Sequence, residues 1–328
     1  MAVCIQVLLI WVLGLGSACL AQEPGSLNLE RKIALPNVKG RIDHLALDLA
    51  QRRIFVAALE NNTVEVVDLD AGKVAHTLKG LDEPQGIAYR PQTQVLYVAN
   101  GGDGSLRTFS GLDLKPLNRI ELGTDADNVR LDETGHVYVG HGTGAIAVIE
   151  EASHAIQANV ALKGHPESFQ LESSGSRIFV NVPDAREISV LDRGRQKQTG
   201  SWPTGTLRAN YAMALDETNQ RLLASFRQPA TLAMFDLRSG ERVDQLDTCG
   251  DADDVFIDRK RNQVYVACGE GFIDVIALRG GRYLRIAQVN TVIGARTALY
   301  SADLDRLFLA VRARGNQLAA IWIYRAED

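Results

Sequence analysis

The residues of this chain best equipped for chemistry are oxygen and imidazole donors placed at similar intervals: Asp43-His44, Asp127-Asn128, Glu167-Ser168 and Asp253-Asp254. Gathered at one point, such oxygens suit a hard cation, and Ca²⁺ with its oxygen-rich, flexible coordination is the favoured ion. Imidazoles from His44 and His165 would shift the preference toward Zn, Cu or Fe. An ion held there would polarise a carbonyl or activate water, with His44 or His165 as general base. The same region also supports a metal-free site. Arg41, Arg296 and Tyr211 can neutralise the carboxylates or orient an anionic ligand, and Asn100 extends the polar reach, as do Asn181, Arg208, Asn210, Arg227 and Glu270. A third reading is purely structural, since GTDADN (123–128) and CGDADD (249–254) are turns in which Asp and Asn can bond their own backbone.

Only a fold that folds back on itself many times can gather residues spread over more than 250 positions, and the chain carries the mark of one. The lines RIFVAA, VLYVAN, HVYVGH, RIFVNV, RLLASF, QVYVAC and RLFLAV are versions of one strand. Their landmarks Ile54, Leu96, Val137, Ile178, Leu222, Val264 and Leu307 are separated by 42, 41, 41, 44, 42 and 43 residues. A period of this size denotes a stacked array or a ring of repeats. Each unit resolves into four short β segments, as in HLALD, RIFVAA, TVEVVDL and KVAHTL of the first, with Gly, Asn, Asp or Pro between them. The turns DLDAGK (68–73) and DLRSGE (236–241) supply glycine where a hairpin needs positive φ.

Four strands per unit and seven units predict an all-β, seven-bladed β-propeller of four-stranded blades. The seventh unit has only three strands, ALYSA, RLFLAV and AAIWIY, so LNLERKIALP (27–36) is expected to complete the last blade and close the ring. With 46% hydrophobic residues and no polar linker, residues 22–328 read as one domain. Counting back ten residues from each landmark, or nine in the third unit, gives the first position of the innermost strand: His44, Gly86, Asn128, Ser168, Ala212, Asp254 and Thr297. The residues just before form a second ring of Asp43, Gln85, Asp127, Glu167, Tyr211, Asp253 and Arg296. Both rings are expected at one mouth of the central channel. His141, ending a second strand, is expected on the same face.

Residues 1–21 read as an export signal. They carry no charge, their apolar run VLLIWVLGLG is short for a membrane span, and Cys19-Leu20-Ala21 precedes Gln22 as a cleavage site. A lipid anchor through Cys19 is the alternative to a soluble periplasmic or secreted form, and an uncleaved anchor is a third. Removing Cys4 and Cys19 with the signal leaves Cys249 and Cys268, which in an oxidising space are expected to pair, contributing about 3 kcal/mol. The rival reading is a thiolate metal ligand or redox pair.

The strand lines LYVAN, VYVGH and VYVAC and the hairpin NTVEVVDLDAGK (62–73) resemble the YncE-like proteins of the YVTN β-propeller family, over essentially everything after residue 30. The resemblance implies a seven-bladed, exported bacterial propeller. It implies little chemistry, because the repeat specifies blades rather than a site. A nucleic-acid role proposed within that family fits poorly with a formal net charge of −5, since phosphate binding wants a basic stripe.

Other chemistry is narrowed by what the sequence lacks: a nucleophile elbow, CxxC, HExxH and a P-loop. GHGTGA (140–145) joins two strands of one blade and is followed by no helix, so no nucleotide is expected. Trp202 and Trp322 are too few for the tryptophan motif of quinone-binding propellers. Asn61-Asn62-Thr63 fits a glycosylation sequon but reads better as a hairpin turn. Two function classes remain. One is a monomeric binding module for a small molecule, a protein or an envelope component. The other is a metal-dependent, lactonase-like hydrolase or lyase using the same channel, although lactonase propellers of the gluconolactonase type have six blades.

Overall fold

The computed structural model describes residues 27–327, so the expected export signal, with Cys4 and the Cys19 anchor, lies outside the described residues. The described chain forms seven antiparallel sheets of four strands each. In the first, Leu45–Asp48, Arg53–Ala58, Thr63–Asp68 and Lys73–Leu78 lie side by side in sequence order. The next five sheets repeat that order, and all seven second strands, from Arg53–Ala58 to Arg306–Val311, fall where the repeat puts them. The last sheet holds Ala298–Ser301, Arg306–Val311 and Ala319–Ala326, and its fourth strand is Leu27–Leu35 from the other end of the chain. That strand runs antiparallel to Ala319–Ala326, from Leu27 opposite Ala326 to Leu35 opposite Ala319. The predicted ring of seven blades and its closure are therefore both present.

Burial explains why the second strands are continuous apolar runs while the fourth strands alternate. Arg53–Ala58 is buried at every position, but Lys73–Leu78 at the rim is largely exposed. Successive side chains on a strand point to opposite faces, and each face of an inner strand meets a different neighbouring blade. Ile54, Val56 and Ala58 pack with Ile33, Leu35, Phe308 and Ile321 of the last blade. Phe55, between them, packs the other way against Leu96 and Val98 of the second blade. Clusters of this kind fill the junctions around the ring.

Local chemistry sets the turns. Asp48 accepts the Gln51 amide at 3.2 Å, and Asp258 accepts the Lys260 amide at 3.0 Å. Gly72 takes φ 65° in DLDAGK, as that hairpin requires. Asn61-Asn62-Thr63 is a hairpin turn, in which Leu59–Asn61 makes one 3₁₀ turn and Asn62 adopts the left-handed conformation. Cys249 and Cys268 are joined in a disulfide that ties the segment before the sixth inner strand to the end of the second strand of that blade. The bridge replaces the thiolate-ligand reading.

Ile33 is fully buried in the closing strand. Ile33→Ala is expected to destabilise the protein by about 2–5 kcal/mol, the usual cost of truncating a buried aliphatic side chain. Urea unfolding measures it, and an unchanged midpoint would mean that the strand is not part of the cooperative ring.

Candidate functional site

Each inner strand runs away from one face of the disk, so the residues just before it sit at the channel mouth on that face. The structure places Arg41, Asp43, His44, Asp127, Asn128, Glu167, Ser168, Tyr211 and Asp253 around one cavity of about 30 Å³. These come from blades one, three, four, five and six. Blade two contributes close approach instead, because a Cβ on Gly86 would stand 2.0 Å from the Asp127 carbonyl oxygen.

The carboxylates are compensated by the protein's own cations. Arg41 donates to Asp43 at 2.8 Å, and His44 Nε2 lies 3.6 Å from the other Asp43 oxygen. Asp253 is held on both oxygens, by Arg227 at 2.5 Å and by Arg296 at 2.8 Å. The same two guanidiniums also hold Asp251, and Arg227 lies over the Tyr211 ring, 3.9 Å from its centroid. His165 pairs with the Gly142 carbonyl through Nδ1 at 2.6 Å, and its Nε2 faces Asp127 at 3.9 Å. Asp254 sits deeper and accepts the Ala298 amide at 2.8 Å.

Several groups are left over, among them the Ser168 and Tyr211 hydroxyls. Glu167 has no side-chain hydrogen bond or ion pair among the described residues, and Asn128 is 3% exposed with its Oδ1 unpartnered.

This arrangement moves the titrations. Burial, with Asp127 adding repulsion, pushes Glu167 up to about 8 against the pull of His165. Burial likewise raises Asp254 to about 7, opposed by His44. Asp43 is raised by burial despite His44 and Arg41. Burial would lower His165, but Asp127 and the Gly142 carbonyl outweigh it and raise the imidazole to about 9. His44 is raised against burial by Asp43 and Asp254. Both histidines are thus held toward the imidazolium, which is a poor general base at neutral pH.

Several expected residues do not join the cavity. Asn100 is fully buried and spends its amide on the Val98 and Ser105 carbonyls, while its Oδ1 accepts the Asp82 amide. Arg296 stands behind Asp253 as a counter-ion. His141 ends its strand on the expected face, but its ring turns outward to Asn159 at 3.0 Å. Asn181 and Asn210 bond one another and tie blade four to blade five, and Glu270 accepts the Gly250 amide.

Arg130 was not anticipated. Burial lowers its pKa, and Asp254 and Asp127 pull it back up. Its signal was in the sequence, as the one guanidinium at an inner-strand position where other blades have Ala46, Ala88, Gln170, Ala214, Phe256 and Leu299. The expected metal set fits poorly. Its Asp43 and Asp253 oxygens are engaged by guanidiniums, and among the described residues no three His, Cys, Asp or Glu side chains stand where they can hold an ion together.

The fold and this mouth define a seven-bladed β-propeller with a charge-balanced central opening. No protein-family model matches the chain, and no curated protein matches it in sequence. Among solved structures it is similar to a chain of "Crystal Structure of Mitotic Checkpoint Complex", at 14% identity and TM-score 0.80 over 99% of both chains. It is also similar to "Crystal structure of RRP9 WD40 repeats", at 11% identity and TM-score 0.79 over 93% of this chain and 99% of that one. At such identities the likeness is one of fold.

The raised pKa values carry a sign. Between the ordinary carboxyl value of 4.5 and about 8 the folded chain keeps a proton on Glu167 that the unfolded chain has lost. Between 6.5 and about 9 it keeps one on His165. In both windows the folded state binds more protons, so stability is highest below them and falls as pH rises. The urea midpoint is expected to drop between mildly acidic and mildly alkaline pH, and Glu167→Gln, which cannot ionise, should flatten that drop. A midpoint that rises over the same range would contradict the assignment.

Proposed function

We propose that this chain is an exported propeller of the YVTN type that works as a binding module, with residues 22–328 as a rigid disk and the channel mouth as its recognition site. The observation that carries this reading is the small cavity at the mouth, lined by Glu167, whose carboxyl pairs with no other described group, in a frame where Asp43 and Asp253 are already fixed by guanidiniums. Preorganised groups of this kind recognise a ligand without paying to rearrange. The disulfide favours an oxidising compartment, periplasmic or secreted. One structural neighbour is described as part of a checkpoint complex, and a stiff disk suits association of that kind. The ligand is a small polar molecule or a protein group that reaches the mouth from solvent.

The competing reading is a metal-dependent hydrolase or lyase built on the same Asp43, Asp127, Glu167 and Asp253. It requires an ion to displace Arg41, Arg227 and Arg296 from their carboxylates, together with a neutral imidazole, whereas His44 and His165 are held toward charge.

Elemental analysis of the protein from residue 22, purified without chelator, separates the two. The expected result is no Ca, Zn, Cu or Fe near one equivalent, and no hydrolysis of simple lactones or esters that disappears in an Asp127→Ala/Glu167→Ala variant. A stoichiometric ion lost in that variant, together with such hydrolysis, would overturn the binding reading.

A further inference from the structure

We propose that the basic corner of blade six, on the face of the disk opposite the mouth, is a docking surface for anionic lipid headgroups, so that the protein lies on a membrane with its mouth turned away. This goes beyond the mouth and does not depend on the mouth being a binding site.

Two loops make the corner. The inner strand Ala252–Asp258 ends on the face opposite the mouth, and the turn after it carries Arg259, Lys260 and Arg261. The hairpin between Phe272–Arg279 and Arg282–Asn290 reaches the same face. The Leu278 amide donates to the Asn262 carbonyl at 3.0 Å, and Arg259, Leu278 and Tyr283 line one cavity, so turn and hairpin stand side by side. The hairpin is longer here than elsewhere. In blades one, four and five the third strand ends where Asp68 faces Arg53, Asp192 faces Arg177 and Asp236 faces Arg221. In blade six Ala277 faces Gln263, and the ladder continues to Arg279 opposite Arg282. Gly280 and Gly281 turn the chain with φ 57° and 78°, both positive as a two-residue hairpin turn demands. A pair of arginines is thereby carried two residues past the usual end of a blade.

Charge complementarity is the main argument. Arg259, Arg279 and Arg282 are exposed and have no side-chain partner among the described residues. The neighbouring acids are engaged: Asp258 with Arg261 at 2.8 Å, Asp305 with Arg261 at 2.6 Å and Lys260 at 3.4 Å, Asp216 with Asn219 at 2.7 Å, and Glu327 with Asn28. Asp303, in the adjoining loop of blade seven, is unpaired among the described residues, one acid against three free guanidiniums. The formal net charge of −5 repels an anionic surface everywhere else, so attraction fixes the orientation. A guanidinium matches a phosphate with paired N–H donors. Leu284, exposed and two residues past Arg282 on the same side of its strand, adds an apolar contact at the headgroups.

Position favours a lipid surface over an acidic protein. Arg261 donates to the Ala326 carbonyl at 3.2 Å, and Ala326 stands opposite Leu27, so the chain enters its described fold at this corner. Seven residues, 20–26, lie between Cys19 and Leu27. At the reach of an extended chain they span about 25 Å at most. An anchor at or before Cys19 would therefore hold this corner, rather than the mouth, against the bilayer. After cleavage before Gln22 the guanidiniums supply the attraction alone, which is the more demanding case to test.

The test is cosedimentation of the protein from residue 22 with vesicles of phosphatidylglycerol and phosphatidylcholine in equal parts, and of phosphatidylcholine alone, at low and moderate salt. Binding to the anionic vesicles only is expected, fading as salt rises. Arg259→Gln, Arg279→Gln and Arg282→Gln should each weaken it about fivefold, the factor for one basic residue at an anionic surface, and Arg279→Gln with Arg282→Gln about twenty-five-fold. Arg186→Gln and Arg314→Gln remove the same charge from exposed mouth-side hairpins and should leave binding unchanged. Unfolding midpoints equal to the parent's would show that the variants are folded. Equal binding to phosphatidylcholine, or equal weakening by the mouth-side substitutions, would overturn the proposal. Saturable binding of a tetraglutamate peptide that the corner substitutions abolish, without vesicle binding, would overturn it in favour of an acidic protein segment. Binding of neither probe would overturn it as well, and none of these outcomes bears on the mouth.

Discussion

Everything in this molecule depends on closing the ring. A single blade cannot bury its own surface, because its second strand is apolar on both faces and needs a neighbour on each side. Arg53–Ala58 shows the requirement in miniature, with Ile54, Val56 and Ala58 facing one blade and Phe55 facing the other. A linear array of such blades would leave two wet apolar faces at its ends. Pairing Leu27–Leu35 with Ala319–Ala326 brings those ends together and converts them into one more junction, built from Ile33, Leu35, Ile54 and Phe308. The closing strand is therefore the piece on which the cooperativity of the disk turns, and it comes from the far end of the sequence.

Closure also creates an electrostatic problem at the centre. Inner strands from all blades converge there, and whatever polar residues precede them are pressed together and partly dried. Charge in such a place must be paired or removed. The protein does both. Arg41, Arg227 and Arg296 pair with Asp43, Asp251 and Asp253, and His165 stands beside Asp127. Where no cation pairs with it directly, the acid holds its proton, as Glu167 does through burial and despite the pull of His165. Pairs made within a ring are also aligned by it: Arg227 and Arg296 come from adjoining blades five and seven around Asp253 of blade six, so they staple blade edges as well as neutralise charge.

The fold was legible because its cause is periodic. Seven near-copies of one buried strand, spaced 41 to 44 residues apart, leave no other arrangement in which each apolar face meets a partner. The missing fourth strand of the last repeat pointed to the segment that closes the ring. The mouth was legible by register, since counting back from each landmark finds Asp43, His44, Asp127, Asn128, Glu167 and Asp253, which do line one cavity. Register stops short of side-chain direction. Asn100 and His141 end second strands on the expected face, but one turns into its own hairpin and the other toward the outer strand. The sequence also showed acids converging without showing how completely Arg41, Arg227 and Arg296 answer them, and that balance is what weakens the case for a divalent ion. Arg130 escaped notice because a periodic reading searches for what repeats, and its significance lies in not repeating.

Repetition has a further consequence for the walls of the mouth. Because the mouth is assembled from connectors of different blades, most of its walls can change one at a time without touching the apolar junctions that hold the disk. Glu167 and Tyr211 sit on connectors or strand positions outside the buried apolar clusters. Gly86 is different. Its missing side chain lets the Asp127 backbone lie against blade two, so any larger residue there must push Asp127, and with it the adjoining Asn128. Blade two contributes least to the chemistry of the mouth, yet it sets the position of the Asp127 backbone and of the buried Asn128 beside it. A scaffold that leaves most mouth positions clear of the apolar junctions still has a place where packing and the shape of the mouth are the same constraint, and it falls where the inner strand carries no side chain.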